Sequence, residues 1–204
     1  MINTIIFDFG NVFINLDIPD SQQNAFETME IDSFPDEILG FNSFYEQGLI
    51  STEEFLDFYS ENFPKLSREA LVNLWNYMLK DFPKDRLEFI KDLKKSGDYK
   101  LILLSNTNAL HIEYIKQNVE FFDEFKACFD KFYLSHEINL IKPNADIFEF
   151  VLADNNIKAN ECLFIDDNKD NIATANNLNF KTWHITPGTE DVCTLFETKS
   201  NLFK

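Results

Sequence analysis

The chain alternates between two patterns of apolar residues, one typical of buried strands and one typical of helices. Short apolar runs begin at residues 4, 99, 129, 163 and 181. Such runs are typical of strands that are buried on both faces of a parallel sheet. Apolar residues at helical spacing occupy residues 85–96, 109–120, 145–155 and 171–178. This alternation predicts an α/β fold with a doubly wound parallel sheet.

Residues 17–84 follow a different pattern, with many aromatic residues at helical spacing and no strand-like run. Ser51 or Thr52, and later Ser67, stand before acidic and apolar positions in the order that is typical of helix N-caps. Pro83 predicts a helix end, because proline lacks the N–H that a helix interior needs. We therefore predict a helical insertion at residues 17–84, placed within one core formed by residues 1–16 and 85–204.

Composition narrows the choice of partners. The chain of 204 residues has 18 basic and 35 acidic residues and a net charge of −17, which disfavours nucleic acid as a partner. Cys128, Cys162 and Cys193 are widely spaced, so free thiols in a reducing compartment are expected rather than disulfides. No signal peptide or membrane span is predicted. We expect a cytoplasmic monomer or homodimer that binds neither nucleic acid nor a membrane.

Polar residues follow the predicted strands at the edge of the sheet where ligands collect in such folds. The first run ends at Asp8, the second leads into Ser105, and the run at 163–165 ends in Asp166. Asp8 alone has an ordinary structural interpretation, a strand-ending turn in which Gly10 supplies a positive φ. The other positions have structural interpretations of the same kind. Their occurrence together in this order favours a functional one.

With Lys142, which lies between the second and the last of these positions in the chain, there are four positions that carry the residue types that phosphoryl transfer requires. Asp8 can attack phosphorus and form an aspartyl-phosphate, which divides one difficult hydrolysis into two displacements. Ser105 and the N–H of Asn106 can bind phosphoryl oxygens near a helix N-terminus. Lys142, before Pro143, supplies a full positive charge for the phosphoryl group and keeps the nucleophile ionised.

The paired acids Asp166 and Asp167 indicate a metal site. Adjacent carboxylates at the end of a buried strand repel each other unless something binds them. Together with Asp8 they supply oxygen ligands of the kind that Mg²⁺ prefers. The sequence therefore predicts a magnesium ion next to the nucleophile.

These residues resemble the four motifs of the haloacid dehalogenase superfamily of hydrolases. Phe7-Asp8-Phe9-Gly10-Asn11-Val12 is similar to the first motif, and Leu104-Ser105-Asn106, Lys142-Pro143 and Phe164-Ile165-Asp166-Asp167-Asn168 are similar to the other three. The resemblance implies a Rossmann-like core, a cap formed by residues 17–84, and a Mg²⁺-dependent phosphatase with an aspartate nucleophile. Its substrate would be a small phosphomonoester, best matched by a sugar phosphate.

The resemblance also implies roles for individual residues. Gly10 would bind the metal through its carbonyl, and Asp167 would be the main direct ligand. Asp166 would bind the metal directly or act through one of the direct ligands. Asp170 is a weaker candidate for an outer position. Most phosphatases of the superfamily have a general acid at the position of Gly10, where this chain has no side chain.

The missing acid leaves three interpretations open. Asp17 or His136 could replace it, since a good general acid contributes roughly 10²–10⁴ in rate. The chain could also be a catalytically weak or inactive protein that binds phosphate and metal. A 2-haloacid dehalogenase is disfavoured, because that chemistry has little need for the acids Asp166 and Asp167.

Overall fold

Five parallel strands form one sheet in the computed structural model, which describes residues 1–203. The strands are β1 (Thr4–Phe7), β2 (Lys100–Ser105), β3 (Lys131–Leu134), β4 (Cys162–Asp166) and β5 (Lys181–His184). Their order in the sheet is β3-β2-β1-β4-β5. The predicted doubly wound parallel sheet is thus confirmed, and the strand order reverses at the central strand β1, where ligands bind in such folds.

The register of the sheet aligns the predicted site residues. Phe7 of β1 pairs with Leu103 of β2 and with Ile165 of β4. Residues just beyond these pairs, Asp8 and Asp166 among them, therefore lie at one edge of the sheet. Strand residues alternate between two hydrophobic clusters, with Phe7 in one cluster and Ile6 in the other. The sheet is buried on both faces, as its uninterrupted apolar runs require.

Eleven α-helices are present in residues 1–203. Four of them lie wholly within residues 17–84 and are α1 (Ile18–Met29), α2 (Asp36–Glu46), α3 (Thr52–Asn62) and α4 (Arg68–Asn76). The others are α5 (Lys84–Ser96), α6 (Ala109–Asn118), α7 (Phe122–Ala127), α8 (Ser135–Ile138), α9 (Ala145–Asn155), α10 (Lys169–Asn177) and α11 (Leu195–Thr198). None of these helices is long and apolar enough to cross a membrane.

Helices α1 to α4 lie in the helical insertion, the name kept here for residues 17–84. Their buried aromatic residues form a cluster separate from the two clusters of the sheet. Tyr45 and Phe55 stack with ring centroids 4.2 Å apart, and Phe41 and Phe58 stack at 3.9 Å. The insertion therefore has an aromatic interior of its own.

Ser51 and Ser67 are the N-caps of α3 and α4, as the sequence predicted. Ser51 also forms a complete capping box with Glu54. The prediction for Pro83 was wrong in direction, because this proline precedes α5 and occupies its N-cap position. Its φ of −60° suits the start of a helix, where the missing N–H costs nothing.

Two further local features differ from the sequence interpretation. The left-handed residue after β1 is Asn11, with φ of 56°, and not Gly10. Helix α7 was not predicted, because its six residues are too few for a periodic pattern. Its Phe125 is fully buried and packs against Phe9 and Phe13 below the first motif.

Candidate active site

A buried lysine joins the carboxylates that follow β1 and end β4. Lys142 Nζ lies 2.9 Å from Asp8 Oδ1 and 2.6 Å from Asp166 Oδ2. The side chains of Lys142 and Asp166 are 1% and 0% exposed. Burial by itself lowers the pKa of Lys142, but the charges of Asp166 and Asp8 outweigh it, so the pKa is raised. The ammonium is therefore kept at neutral pH as the positive centre of the group.

Asp166 is held on both oxygens by protein donors. Its Oδ1 accepts hydrogen bonds from the Asn168 N–H at 2.7 Å and from Asn171 Nδ2 at 3.1 Å. Its Oδ2 accepts from Lys142 Nζ and from Asn171 Nδ2 at 3.0 Å. A carboxylate with so many donors keeps one orientation, so Asp166 positions the ammonium of Lys142.

Asp8 has fewer hydrogen-bond donors around its carboxylate than Asp166. Burial raises its pKa to about 7; Lys142 lowers it and Asp166 and Asp167 raise it. Its Oδ1 lies at ion-pair distance from Lys142 but receives no well-directed hydrogen bond from residues 1–203. A buried carboxylate oxygen that has one ammonium as its sole partner can accept a second cation or donor. The site is thus prepared for a further positive group.

The acids fit a magnesium ion. Asp8, Asp166 and Asp167 each offer an oxygen, and these oxygens all lie within 4.8 Å of one another. The carbonyl of Gly10 accepts no hydrogen bond within the described part of the chain. Three carboxylates and a free carbonyl form the hard oxygen set that Mg²⁺ prefers.

Asn11 orients the side chain of Asp167, one of the candidate metal ligands. Its Nδ2 donates to Asp167 Oδ2 at 2.8 Å, and its Oδ1 accepts from the Leu16 N–H at 3.0 Å. Burial raises the pKa of Asp167, although the hydrogen bond from Asn11 lowers it. The His184 ring also bonds the Asp167 carbonyl at 2.9 Å. Asn11 therefore links the loop after β1 to the acids after β4.

Ser105, the last residue of β2, and Asn106, which follows it, differ in what they offer to a ligand. Ser105 is buried, and its hydroxyl makes only a long contact of 3.4 Å with the Asn106 carbonyl. The Asn106 side chain is already engaged, because its Nδ2 donates to the Lys142 carbonyl at 2.8 Å and its Oδ1 accepts from the Lys142 N–H at 2.9 Å. These two hydrogen bonds hold the backbone of Lys142 in place. The Ser105 hydroxyl is left for a ligand.

The position of the missing acid is occupied by an apolar neighbour. A Cβ at Gly10 would lie 2.7 Å from Leu16 Cδ1, so a larger residue there requires the leucine to move. Asp17 caps α1 by accepting from the Asp20 N–H at 3.1 Å. His136 bonds the Thr107 carbonyl at 3.2 Å, and burial lowers its pKa. Within residues 1–203, neither residue forms a hydrogen bond or an ion pair with Asp8.

Sequence reasoning placed the charged residues together and missed the asparagines that hold them. Asn11, Asn171 and the side chain of Asn106 each bond a charged residue of the site or its backbone. The signal for Asn11 was an asparagine next to a glycine after a buried strand, a residue type that tolerates a positive φ. The weaker candidate Asp170 is exposed in the first turn of α10.

Comparison with known proteins gives a consistent result. A family model described as haloacid dehalogenase-like hydrolase matches residues 2–179. The chain is 32% identical over 193 residues to a D-ribitol-5-phosphate phosphatase of Bacteroides thetaiotaomicron, covering 90% of this chain and 91% of that protein.

Solved structures of related proteins are similar to this chain in fold. A haloacid dehalogenase family enzyme of Bacteroides thetaiotaomicron, in complex with magnesium and inorganic phosphate, has a TM-score of 0.81 and 32% identity over 96% of this chain and 100% of that one. A related hydrolase of Porphyromonas gingivalis has a TM-score of 0.83 and 30% identity, covering 100% and 98%. An L-2-haloacid dehalogenase, at 17% identity over 93% and 89% with a TM-score of 0.57, shares the fold.

Proposed function

Because the chain belongs to the haloacid dehalogenase-like hydrolase family, we propose that it is a Mg²⁺-dependent phosphatase acting on a small phosphomonoester. The observation that carries the proposal is the buried group in which Lys142 bridges Asp8 and Asp166. The relative that hydrolyses D-ribitol 5-phosphate favours a sugar or sugar-alcohol phosphate as substrate.

Asp8 is the nucleophile in this proposal. Its carboxylate oxygen attacks phosphorus, the bond from phosphorus to the alcohol oxygen breaks, and the phosphoryl group stays on Asp8 as an acyl phosphate. Water then attacks the same phosphorus, which frees inorganic phosphate and restores the carboxylate. Lys142 favours the ionised form of Asp8 and lies where charge builds up on the phosphoryl oxygens.

Ser105 and Asn106 bind the phosphoryl group. The Ser105 hydroxyl lacks a short hydrogen bond, so it can donate to a phosphoryl oxygen. Asn106 contributes its backbone N–H, since its side chain is committed to Lys142. In this proposal two donors and one cation surround the transferred group, and the side chain of Asn106 supports the cation through the backbone of Lys142.

Asp8, Asp167 and the Gly10 carbonyl are the direct magnesium ligands that we propose, with Asp166 next to them as the residue that holds Lys142. Asp8 Oδ1, which has only Lys142 as a partner within residues 1–203, and the free Gly10 carbonyl support this set. The ion, when bound, supplies positive charge that offsets the repulsion between these carboxylates and an anionic substrate. Asn11 keeps Asp167 in a binding orientation.

Residues 17–84 act as the cap over this site, and residues 1–16 and 85–204 as the catalytic core. A closed cap excludes bulk water and large substrates, so the partner is a small phosphorylated metabolite rather than nucleic acid. The three free cysteines suit the reducing cytoplasm, where we place the enzyme.

The absence of an acidic side chain at Gly10 affects the rate of the reaction. Without an acid there, the departing oxygen is less readily protonated, so turnover depends more steeply on the pKa of the leaving alcohol. We expect p-nitrophenyl phosphate to be hydrolysed faster than an alkyl phosphate of similar size. Equal rates for both would show that another residue has taken over the acid role.

Release of inorganic phosphate from a panel of phosphomonoesters, with Mg²⁺ and with EDTA, tests the proposal. We expect release only with Mg²⁺ and with the highest kcat/KM for sugar or sugar-alcohol phosphates. A wild-type protein that binds Mg²⁺ and phosphate but releases none from the whole panel would favour the inactive binding protein instead. Chloride release from 2-chloropropionate would favour the dehalogenase.

A further inference from the structure

Arg86, in the first turn of α5, is a buried cation to which the proposed reaction gives no role. Its Nε and Nη2 lie 3.0 and 2.9 Å from Asp191 Oδ2. Its Nη1 donates hydrogen bonds to the Phe13 carbonyl at 3.2 Å and to Asn15 Oδ1 at 2.9 Å. A guanidinium carries its N–H donors in one rigid plane, so it holds several acceptors in a fixed arrangement. Arg86 therefore holds residues 13–15 against the core.

The loop that Arg86 holds also carries groups of the proposed metal site. We call residues 10–16 the metal-binding loop. The Asn11 N–H donates to the Ile14 carbonyl at 2.7 Å, and Asn11 Oδ1 accepts from the backbone N–H of the last loop residue at 3.0 Å. Asn11 Nδ2 donates to Asp167 Oδ2 at 2.8 Å. Because these bonds cross the loop, a shift at its contacts with Arg86 would also move the groups that face the metal.

The metal-binding loop leads directly into the insertion and pairs there with the segment that leaves the insertion. The Lys80 N–H donates to the Asn15 carbonyl at 2.9 Å, and the Asp17 N–H donates to the Met78 carbonyl at 3.0 Å. The two connections between the insertion and the core thus lie side by side at one end of the loop. Arg86 binds the loop between these connections and the residues that face the metal.

Fold stability alone does not account for a buried arginine at this place. A buried ion pair such as that of Arg86 with Asp191 is often no more stabilising than well-packed apolar side chains of similar volume. A lysine ammonium could neutralise Asp191, but it lacks the flat fork with which a guanidinium reaches a carboxylate and further oxygens together. The arginine therefore indicates that its contacts with the metal-binding loop have a function of their own.

We propose that Arg86 is a positioning residue for magnesium binding, which holds the metal-binding loop on the core so that the Gly10 carbonyl and Asn11 face the ion. This inference rests on the magnesium ligands of the proposed function. Within residues 1–203, Arg86 forms no hydrogen bond or ion pair with the three acids of that site. It therefore acts through the loop and not on the reacting atoms. Without the guanidinium, the loop loses the two hydrogen bonds that join it to α5.

Calorimetric titration of wild type, Arg86→Met and Arg86→Lys with Mg²⁺ tests the proposal. Methionine keeps an unbranched side chain but donates no hydrogen bond, so we expect Arg86→Met to weaken Mg²⁺ binding about tenfold. Arg86→Lys, which keeps the charge and a donor group, should weaken it less. Phosphate release by Arg86→Met should return towards the wild-type rate as the Mg²⁺ concentration is raised, because the variant lacks affinity for the ion and no catalytic group.

The matched control is Leu93→Ala, at a buried leucine two turns further along α5. This substitution also destabilises the fold, but it leaves the hydrogen bonds between α5 and the metal-binding loop in place. We expect its Mg²⁺ affinity to equal that of wild type. Asn15→Ala removes the side-chain acceptor of Arg86 Nη1 from the loop itself. It should weaken Mg²⁺ binding, and it decides the question if Arg86→Met does not fold.

An unchanged Mg²⁺ affinity in folded Arg86→Met or in Asn15→Ala would overturn the proposal, and so would equal losses in Arg86→Met and Leu93→Ala. Calorimetry needs no turnover, so it separates this inference from the proposed function. Weaker Mg²⁺ binding in Arg86→Met, together with no phosphate release by wild type, would support the role of Arg86 and refute the phosphatase. A wild type that binds no Mg²⁺ would overturn both.

Discussion

The edge of the sheet and the interior of the helical insertion are stabilised in opposite ways. At the edge, Lys142 and three carboxylates are crowded together, and burial opposes the charges of Lys142, Asp8 and Asp167. In the insertion, aromatic rings such as Phe55 and Trp75 pack edge to face with centroids 4.7 Å apart. The edge of the sheet therefore sacrifices stability for chemistry, while the insertion provides stability and shape.

Replacement of the nucleophile should have the largest effect. It should lower the catalytic rate and raise the stability of the protein at alkaline pH. We expect Asp8→Asn to lower kcat by at least about 10⁴-fold, because no other carboxylate takes its place. Its pKa of about 7 lies above the unfolded value, so stability is lost as pH rises from about 4 to 7. At pH 8 without Mg²⁺ the variant should therefore be more stable, by about 1–3 kcal/mol. Phosphate release and urea unfolding measure the two effects.

An Asp8→Asn variant that is less stable than wild type at pH 8 would contradict this account of the edge. Asp81→Asn is a suitable control for the removal of one acidic side chain, because Asp81 is exposed and lies outside the metal group. We expect it to retain full phosphatase activity.

In the aromatic interior of the insertion, truncation of a side chain should mainly lower the stability of the protein. Phe55 is 2% exposed and contacts Tyr45, Tyr59 and Trp75. We expect Phe55→Ala to cost about 3–5 kcal/mol in the free energy of unfolding. Phe44→Ala, at a phenylalanine that is 48% exposed on α2, should cost less than about 1 kcal/mol. Equal losses in the two variants would show that the aromatic cluster is not a packed interior.

The boundary between the two regions should respond to pH through His111. This ring stacks on Trp75, and its nitrogens contact the Trp75 carbonyl and Asn108 Nδ2, each at 3.1 Å. Burial lowers its pKa to about 4, while in the unfolded chain it is about 6.5. The unfolded state therefore takes up the proton first, and stability falls as pH falls from about 6.5 to 4.

The contribution of His111 to that loss should be about 2–3 kcal/mol. Chemical unfolding at several pH values in wild type and in His111→Gln measures it, since the variant has no ring to protonate. If the difference in stability between the two proteins does not change over this pH range, the histidine is not buried in its neutral form at the boundary.

Loss of the Asn11 side chain should have the smallest of these effects and should be confined to the metal. Asn11→Gly keeps the left-handed backbone, with φ of 56°, and removes the side-chain bonds to Asp167 and to the Leu16 N–H. We expect Mg²⁺ affinity to fall about 10- to 100-fold, measured by calorimetry and by the Mg²⁺ dependence of phosphate release. Asn156→Gly removes another left-handed asparagine, at the end of α9, and should leave Mg²⁺ affinity unchanged. Similar losses in both variants would point to a backbone effect.

The sequence predicted the sheet and its charged residues for a simple reason. A buried parallel strand is a continuous apolar run, and the residue that ends it marks the functional edge, so Asp8, Ser105 and Asp166 were visible as strand endings. The family model and the strand order confirm the fold class. The core and cap boundaries and the individual site roles stay predictions.

The partners of those residues could not be read from the sequence. Asn11 bonds a residue 156 positions away, and Asn171 bonds Asp166 from within a helix whose pattern looks ordinary. Such bonds depend on where two loops meet in space. Pro83 was misread because proline suits a helix start as well as a helix end.

Trapping the phosphoryl group on Asp8 tests the central claim most directly. Enzyme in excess would be mixed with D-ribitol 5-phosphate and Mg²⁺, quenched in acid within one turnover, reduced with borohydride and mapped by mass spectrometry. The account predicts conversion of the acyl phosphate at residue 8 to homoserine, with none in samples lacking substrate. Full turnover with Asp8 unmodified, or modification of another carboxylate instead, would contradict it.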